Sequence, residues 1–320
     1  MALTALTAAE RDALDTLEIR IRAMLPAEYQ DTYETVQPVS MGSAGLKYDA
    51  AGKVAWNDIW QTFCDLAMAG GPPHKGVLLE PASSTQIDAQ PERYADVVAE
   101  ICRGITMATG LTAKPSPVAG WVRVFCTSKA MASWLHRAIV MENVAAHSTN
   151  DTLDLPASPA FRLEKEIKNV VTVIAKTTHY WAGHMLREQQ RAIAVLLAGM
   201  ATNSPLIEPA ASPDPATSPD EVQATAMADA IQQQTGLPRS RHRYAGWLGI
   251  DCPSVALAIW MMRALVVSNI LARREETTLF VPVNGETDPG GATVIRGVVM
   301  MQRFAEAKGV PSSPLHAPDR

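Results

Sequence analysis

Residues 105–156 and 231–282 repeat one another at a constant offset of 126 residues without a gap, and 20 of the 52 aligned positions are identical. Unrelated segments would agree at roughly one position in fifteen, so the match indicates an internal duplication. Two copies of one unit are expected to fold alike, which predicts two similar lobes. The polar residues that both copies keep include the pairs Cys126/Cys252, Arg137/Arg263 and Asn143/Asn269.

Local patterns predict the elements of each copy. A helix ends at Gly110, a suitable C-cap, and is followed by a short strand, a helix and a second short strand. A strand, a helix and a strand in this order predict a βαβ unit with parallel strands and a right-handed crossover. In the first copy these three elements span 121–125, 128–146 and 153–155, and in the second 247–250, 254–272 and 279–283.

Residues 161–200 contain no proline or other obvious break, which predicts one helix of 40 residues shared by the two copies. The predicted fold is therefore a helix-dominated α+β protein. Its duplicated unit consists of helix, short strand, helix, short strand and helix. We expect pseudo-twofold symmetry between the copies, with the long helix at the centre.

The repeat also predicts the limits of the domains. Thr7 and Glu10 form a capping box before an amphipathic helix at 7–25, which could act as a lid or a dimer arm. A proline-rich loop at 202–219 separates two helices of the second copy. The N-terminal helix with its connecting segment, the first copy, the second copy and a flexible tail span 1–53, 54–178, 179–308 and 309–320.

Composition limits the classes of partner. Hydrophobic residues make up 47% of the chain and charged residues 19%, as in globular proteins, and the net charge is −5. No basic face is evident, so neither nucleic acid nor an anionic membrane is an expected partner. The apolar stretch Val255–Ala272 contains Arg263, which favours a buried helix over a membrane span. The four cysteines lack paired metal-ligand spacing, which indicates free thiols in the cytoplasm.

Cys126 and Cys252 each fall between the end of a predicted strand and the start of a predicted helix. The amides at a helix N-terminus lower a thiol pKa and also suit a bound anion. The sequence therefore leaves two interpretations open. The cysteines are either inert packing residues or a pair of thiolates or ligands in the cleft between the lobes.

Arg137 and Arg263 stand on otherwise apolar helices, where a guanidinium needs a partner. An internal carboxylate such as Glu142 or Glu100 would serve. A bound carboxylate or phosphate is the alternative, because the planar fork of arginine suits both.

The copies differ at a few chemically informative positions, and function often lies where copies differ. Those differences are His136 against Met262, Glu142 against Ser268, and His147 against Arg273. A glycine-rich turn at 70–76, which contains His74 and Lys75, has no counterpart in the second copy. Such a turn could hold an anion with its amides, or it could be a rigid loop without a ligand.

The most polar stretch of the predicted long helix contains Lys176, His179 and His184. In an α-helix, residues five apart lie about 140° from each other, so the two histidines are not expected to share a metal ion. We therefore predict no metal site. His179 is either a satisfied interior histidine or an acid, base or ligand.

Two functions remain. The first is a cytoplasmic accessory or binding protein that holds a small anionic ligand, a cofactor of unknown identity or a partner segment in the cleft between the lobes. The alternative is an enzyme with one site at the repeat interface, with Cys126 as a thiolate and His179 as an acid or base on an anionic substrate. A protein partner, a homodimer and a methionine-rich structural role also stay open. The predicted ligand-binding residues are Arg137, Arg263, His74, Lys75, Lys176 and Cys252.

Overall fold

The computed structural model describes residues 6–30, 46–58, 76–210 and 220–311. Helices dominate, and the strands form two small antiparallel sheets, so the predicted α+β class is confirmed. The chain divides into two compact units. The middle unit is Val36–Arg191, and the split unit combines Met1–Thr35 with Ala192–Arg320.

The first helix, α1 (Ala8–Met24), begins at the predicted capping box. The N–H of Glu10 donates to the Thr7 hydroxyl, and the Glu10 carboxylate accepts a bond from the N–H of Thr7. Two of the amides that a helix start leaves unpaired are satisfied in this way. One face of α1 is buried, at Leu14, Leu17, Ile21 and Met24.

The middle unit is built on α3 (Pro91–Thr109), which follows the short helix α2 (Ser84–Ala89). Pro91 occupies the first turn, and Gly110 ends the helix in the left-handed conformation at φ 73°, as predicted. The buried face of α3 packs against the first strand of the sheet and against a later helix, and it includes Val97, Ile101 and Ile105.

The sheet of the middle unit has four antiparallel strands in the order β1, β2, β4, β3. The helix α4 connects β2 to β3. In chain order these elements are β1 (Thr112–Pro115), β2 (Trp121–Phe125), α4 (Lys129–Met141), β3 (His147–Thr149) and β4 (Thr152–Pro156).

The predicted βαβ crossover is wrong, because β4 runs antiparallel to β2. The residues after α4 form β3, at a place where the sequence pattern predicts no strand. β3 then turns back into β4 through the two-residue loop at Asn150 and Asp151. Asn150 has a φ of 56°, the left-handed conformation that tight hairpins require. This hairpin reverses the direction of the second predicted strand.

The predicted 40-residue helix is also wrong. A π turn at Leu163–Ile167 leads into α5 (Lys168–His179), and a second π turn follows at Tyr180–His184. Met185 then has extended backbone (φ −96°, ψ 121°), so the helix ends there. A separate helix, α6 (Arg187–Asn203), starts two residues later.

The split unit contains α1, most of α6 and a three-stranded antiparallel sheet in the order β5, β7, β6. α1 packs against a later helix of this unit, at Val255–Val266, so it is part of the unit. The remaining elements are α7 (Asp220–Thr235), β5 (Trp247–Asp251), α8 (Val255–Val266), β6 (Arg273–Glu275), β7 (Thr278–Pro282) and α9 (Ala292–Lys308).

An irregular segment covers the outer edge of β5, where the middle unit has β1. The N–H of Ser240 donates to the Gly249 carbonyl at 2.9 Å, and the N–H of Asp251 donates to the Pro238 carbonyl at 2.9 Å. Proline cannot donate to a sheet, which explains why this segment pairs only at isolated positions.

The repeated asparagines perform the same backbone task in both units. Asn143 and Asn269 follow α4 and α8 with φ values of 61° and 65°. The side-chain amides of the two residues donate to the carbonyls of Gly76 and Ser204, respectively. Asparagine tolerates this conformation better than other non-glycine residues, which explains an asparagine at both positions.

Among the helices of the described residues, none combines the length with the hydropathy that crossing a bilayer requires.

Gly120 provides a test of the chain's path in the middle unit. Its φ is 86°, and a Cβ atom there would lie 2.5 Å from the carbonyl oxygen of Ala82. We expect Gly120→Ala to lower the free energy of unfolding by about 2–4 kcal/mol, since a backbone clash adds to the cost of the positive φ. Gly110→Ala is the matched control, because Gly110 has a φ of 73° and nothing within 4 Å of a Cβ.

The control should lose only about 1 kcal/mol in urea denaturation. Equal losses in the two variants would contradict the close approach at Gly120.

Candidate functional site

A buried ion pair in the middle unit joins α4 to α5. The Nζ of Lys176 lies 2.8 Å from Oε1 of Glu142, and the two side chains are 6% and 12% exposed. Glu142 is the C-cap residue of α4. Lys176 is among the predicted ligand-binding residues, but its charge is neutralised within the protein. Glu142 was also expected as a partner of Arg137, and the carboxylate instead binds Lys176.

The ion pair continues into an aromatic and histidine cluster at the second π turn. The Nζ of Lys176 lies 5.8 Å from the ring centroid of Tyr180, and the Tyr180 ring meets the His184 ring edge-on at 5.7 Å. Nε2 of His184 is 2.9 Å from Nε2 of His179. We call Glu142, Lys176, Tyr180, His184 and His179 the polar chain.

The π turn corrects the expectation that His179 and His184 point apart. The N–H of Met185 donates to the Tyr180 carbonyl, five residues back. This wider winding brings residues five apart onto one face, whereas the predicted α-helix would separate them. π turns are frequent at functional sites.

A hydrogen bond between two Nε2 atoms requires that one carry a proton and the other accept it. Both rings are half-buried, so solvent reaches the pair. Such a pair can donate or accept a proton. The predicted acid or base role of His179 has a plausible geometry and stays a prediction.

Burial raises the pKa of the Cys126 thiol and that of the Cys252 thiol to about 12 each. The nearby carboxylates of Asp151 and Asp251, respectively, make a smaller contribution in the same direction. The predicted effect of the helix N-terminus was a lower pKa. The backbone N–H of Cys126 donates to the carbonyl of Asp151, and the backbone N–H of Cys252 donates to the carbonyl of Thr277. Both acceptors lie in hairpin loops. Loss of solvation outweighs the helix terminus here, which favours the packing interpretation.

Arg137 is satisfied in part by its own helix. Its Nη1 donates to the carbonyl oxygen and to the hydroxyl of Ser133 at 3.0 and 2.9 Å, and the residue is 3% exposed. Glu100, the other carboxylate considered, pairs with Arg103 at 2.6 Å.

Arg263 is half-buried in the last turn of α8. Binding of an anion by either arginine stays a prediction. His74 and Lys75 lie outside the described residues.

A buried arginine in the split unit is a feature that the sequence pattern did not predict. Arg273 is fully buried, and its guanidinium carbon lies 4.3, 5.2 and 4.0 Å from the ring centroids of Tyr244, Trp247 and Phe280. Its Nη1 donates to Glu275 at 2.7 Å. The only signal in the sequence was that Arg273 aligns with His147. We call these three rings the aromatic cage.

The split unit also contains a cavity of about 260 Å³. Arg20 of α1 lies at its wall, and this guanidinium forms no ion pair with any residue in the described ranges. The remaining lining combines polar with apolar side chains and includes Asn203, Ser268, Val195, Leu196 and Met200. The residues that line the cavity therefore include a cationic, an amide and a hydroxyl side chain together with apolar ones.

The difference between Glu142 and Ser268 is the sequence signal that points to this cavity. In the middle unit the carboxylate at this position pairs with Lys176. The matching residue of the split unit is a serine, which lines the cavity together with Arg20. Arg20 itself was not predicted, because it lies outside the repeat.

Within the described part of the chain, no group of three or more His, Cys, Asp or Glu side chains is arranged to hold a metal ion. No known protein family matches the chain, and comparison with characterised proteins and with solved structures gives no significant match.

Proposed function

We propose that this chain is a binding or accessory protein that holds a small organic anion in the cavity of the split unit. The observation that carries the proposal is Arg20 in the lining of that cavity, with no ion-pair partner among the described residues. A guanidinium beside a concave surface binds carboxylate or phosphate through two parallel hydrogen bonds.

The rest of the lining agrees with a small organic acid. Asn203 and Ser268 add groups that can donate to the same anion, and Val195, Leu196 and Met200 suit a short apolar portion. Ligand pockets commonly combine a few polar groups with an apolar wall, and their volumes start at roughly 300 Å³. A volume of about 260 Å³ therefore favours a small molecule over a dinucleotide.

The comparison of the two aligned segments also favours the cavity of the split unit as the binding site. In the first copy Glu142 forms an ion pair with Lys176. The aligned residue of the second copy is Ser268, which lines the cavity. We infer that both copies derive from one duplicated unit and that the second lost its carboxylate when it acquired a ligand. Pseudo-twofold symmetry stays a prediction, as do a cytoplasmic location, a protein partner and a homodimer.

The alternative function, an enzyme that uses Cys126 as a thiolate, has less support. A thiol with a pKa near 12 is almost entirely protonated at neutral pH. His179 retains an arrangement suited to acid or base chemistry, without an identified substrate beside it.

We expect a panel of small carboxylates and organic phosphates to contain a compound that raises the thermal stability of the full chain. At a hundredfold excess over its dissociation constant, the stabilisation should be about 2.7 kcal/mol. Arg20→Met should weaken binding of that compound roughly tenfold or more in isothermal titration calorimetry, because the charge-assisted hydrogen bonds are lost.

Two further variants make this test specific. Arg22→Met removes a positive charge from an exposed position on the same helix, and affinity should change little. Ser268→Glu restores the carboxylate of the other copy beside Arg20 and should abolish binding. Affinity that is unchanged in both Arg20→Met and Ser268→Glu would refute the cavity as the binding site.

A further inference from the structure

We propose that His179 and His184 form a two-histidine site for a divalent transition-metal ion of tetragonal geometry, Cu²⁺ above all. The site belongs to the middle unit and is independent of the anion proposal. It rests on the juxtaposition of two imidazole nitrogens across the π turn.

The distance between the nitrogens identifies the class of metal. Metal–imidazole bonds are about 2.0–2.1 Å long, so two nitrogens 2.9 Å apart would subtend an angle of about 90° at a shared ion. This is the angle between adjacent ligands in square-planar and octahedral complexes, which Cu²⁺ and Ni²⁺ prefer. Tetrahedral Zn²⁺ would require a nitrogen separation of about 3.3–3.4 Å.

The surroundings allow the exchange of a shared proton for a metal ion. In the hydrogen-bonded pair, the two Nε2 atoms already face each other. Both Nε2 lone pairs become available to a cation when a protonated pair releases the proton between them to solvent, or when in a neutral pair that proton moves to Nδ1 of its own ring. The rings are half-buried and Gly183 beside them is exposed, so water can fill the other coordination positions.

Within the described residues, the positive charge of the polar chain is compensated. Lys176, the cation of the polar chain, is paired with Glu142 at 2.8 Å. The Tyr180 ring lies between that pair and the His184 ring. The π turn also sets the spacing of the two histidines. The hydrogen bond from the N–H of Met185 to the Tyr180 carbonyl closes a single wide turn that contains the four residues between them.

The test is a titration of the full chain with CuCl₂ in a weakly coordinating buffer at pH 7.5, followed by calorimetry and electron paramagnetic resonance. We expect one tight equivalent of Cu²⁺ with hyperfine coupling to two imidazole nitrogens. Ni²⁺ should bind more weakly, and Zn²⁺ at least roughly tenfold more weakly than Cu²⁺.

His179→Ala and His184→Ala should each lower the affinity for Cu²⁺ by roughly tenfold or more, since each removes one of two ligands. His147→Ala, at an exposed histidine of the same unit, is the control and should bind as the unaltered chain does. The spectrum of the unaltered chain decides the question even where a variant folds poorly. Coupling to fewer than two imidazole nitrogens, or tight binding that survives both ligand substitutions, would overturn the proposal.

Discussion

Lys176→Met should lower the free energy of unfolding of the middle unit by about 3–5 kcal/mol, among the largest effects expected of a single substitution. The reason is the carboxylate that the variant leaves behind. Glu142 is 12% exposed, and its Oε2 forms no hydrogen bond with the described residues. Without Lys176 the charge on Glu142 has neither a counterion nor full solvation.

Hydrogen exchange read separately for the two units measures this effect where it occurs. Amides of α4 and α5 should lose protection, and amides of the sheet of the split unit should not. Arg243→Met removes one partner of an exposed ion pair (66% and 54% exposed) and should cost well under about 1 kcal/mol.

The double variant Lys176→Met/Glu142→Leu distinguishes a lost attraction from an orphaned charge. We expect it to recover most of the stability, because replacing both members of a buried pair by apolar residues is often close to neutral. If the double variant is as unstable as Lys176→Met, the loss comes from packing and the explanation by an uncompensated carboxylate is wrong.

Arg273→Ala should destabilise the split unit by about 3–5 kcal/mol. The guanidinium is fully buried in the aromatic cage, where it gains from the rings and from the ion pair with Glu275. The variant would leave a void between three rings and a largely buried carboxylate without its nearest partner. Arg273→Lys should recover only part of the loss, because an ammonium group cannot stack on several rings as a planar guanidinium does.

The repeat supplies the matched control for this substitution. His147 occupies the aligned position in the middle unit but is exposed. His147→Ala should change the free energy of unfolding by no more than about 0.5 kcal/mol. Comparable losses in thermal or urea denaturation of the two variants would show that the aromatic cage contributes little.

Features that depend on one or a few neighbouring residues were predictable from the sequence. Thr7 and Glu10 specified the start of α1, and Gly110 specified the end of α3. The repeated Asn143 and Asn269 were visible as retained polar residues. Their role in a left-handed backbone after the helix required the structure.

Features that depend on competition between local and distant contacts were not predictable. β3 has only three residues and no strong apolar alternation, so the hairpin that reverses β4 left no clear signal. The π turn at Tyr180–His184 has no recognised residue pattern, and α-helical spacing gave the wrong direction for His184 relative to His179.

The candidate sites likewise combine one feature that the sequence could predict with others that depend on distant contacts. The difference between Glu142 and Ser268 could be read from the aligned copies. Arg20 approaches the cavity from outside the repeat, and Arg273 is surrounded by rings that lie before and after it in the chain. Only tertiary packing brings these groups together.

The sheet edges limit how another protein could join this one. β3 and β6 have three residues each, β1 carries Lys114 and ends at Pro115, and the segment from Pro238 covers the edge of β5. Short, charged or covered edges resist the addition of a strand from another molecule, which is also the first step of many aggregation reactions. A partner chain that binds these sheets would therefore be selected by its side chains, since the described edges offer no long row of open backbone groups.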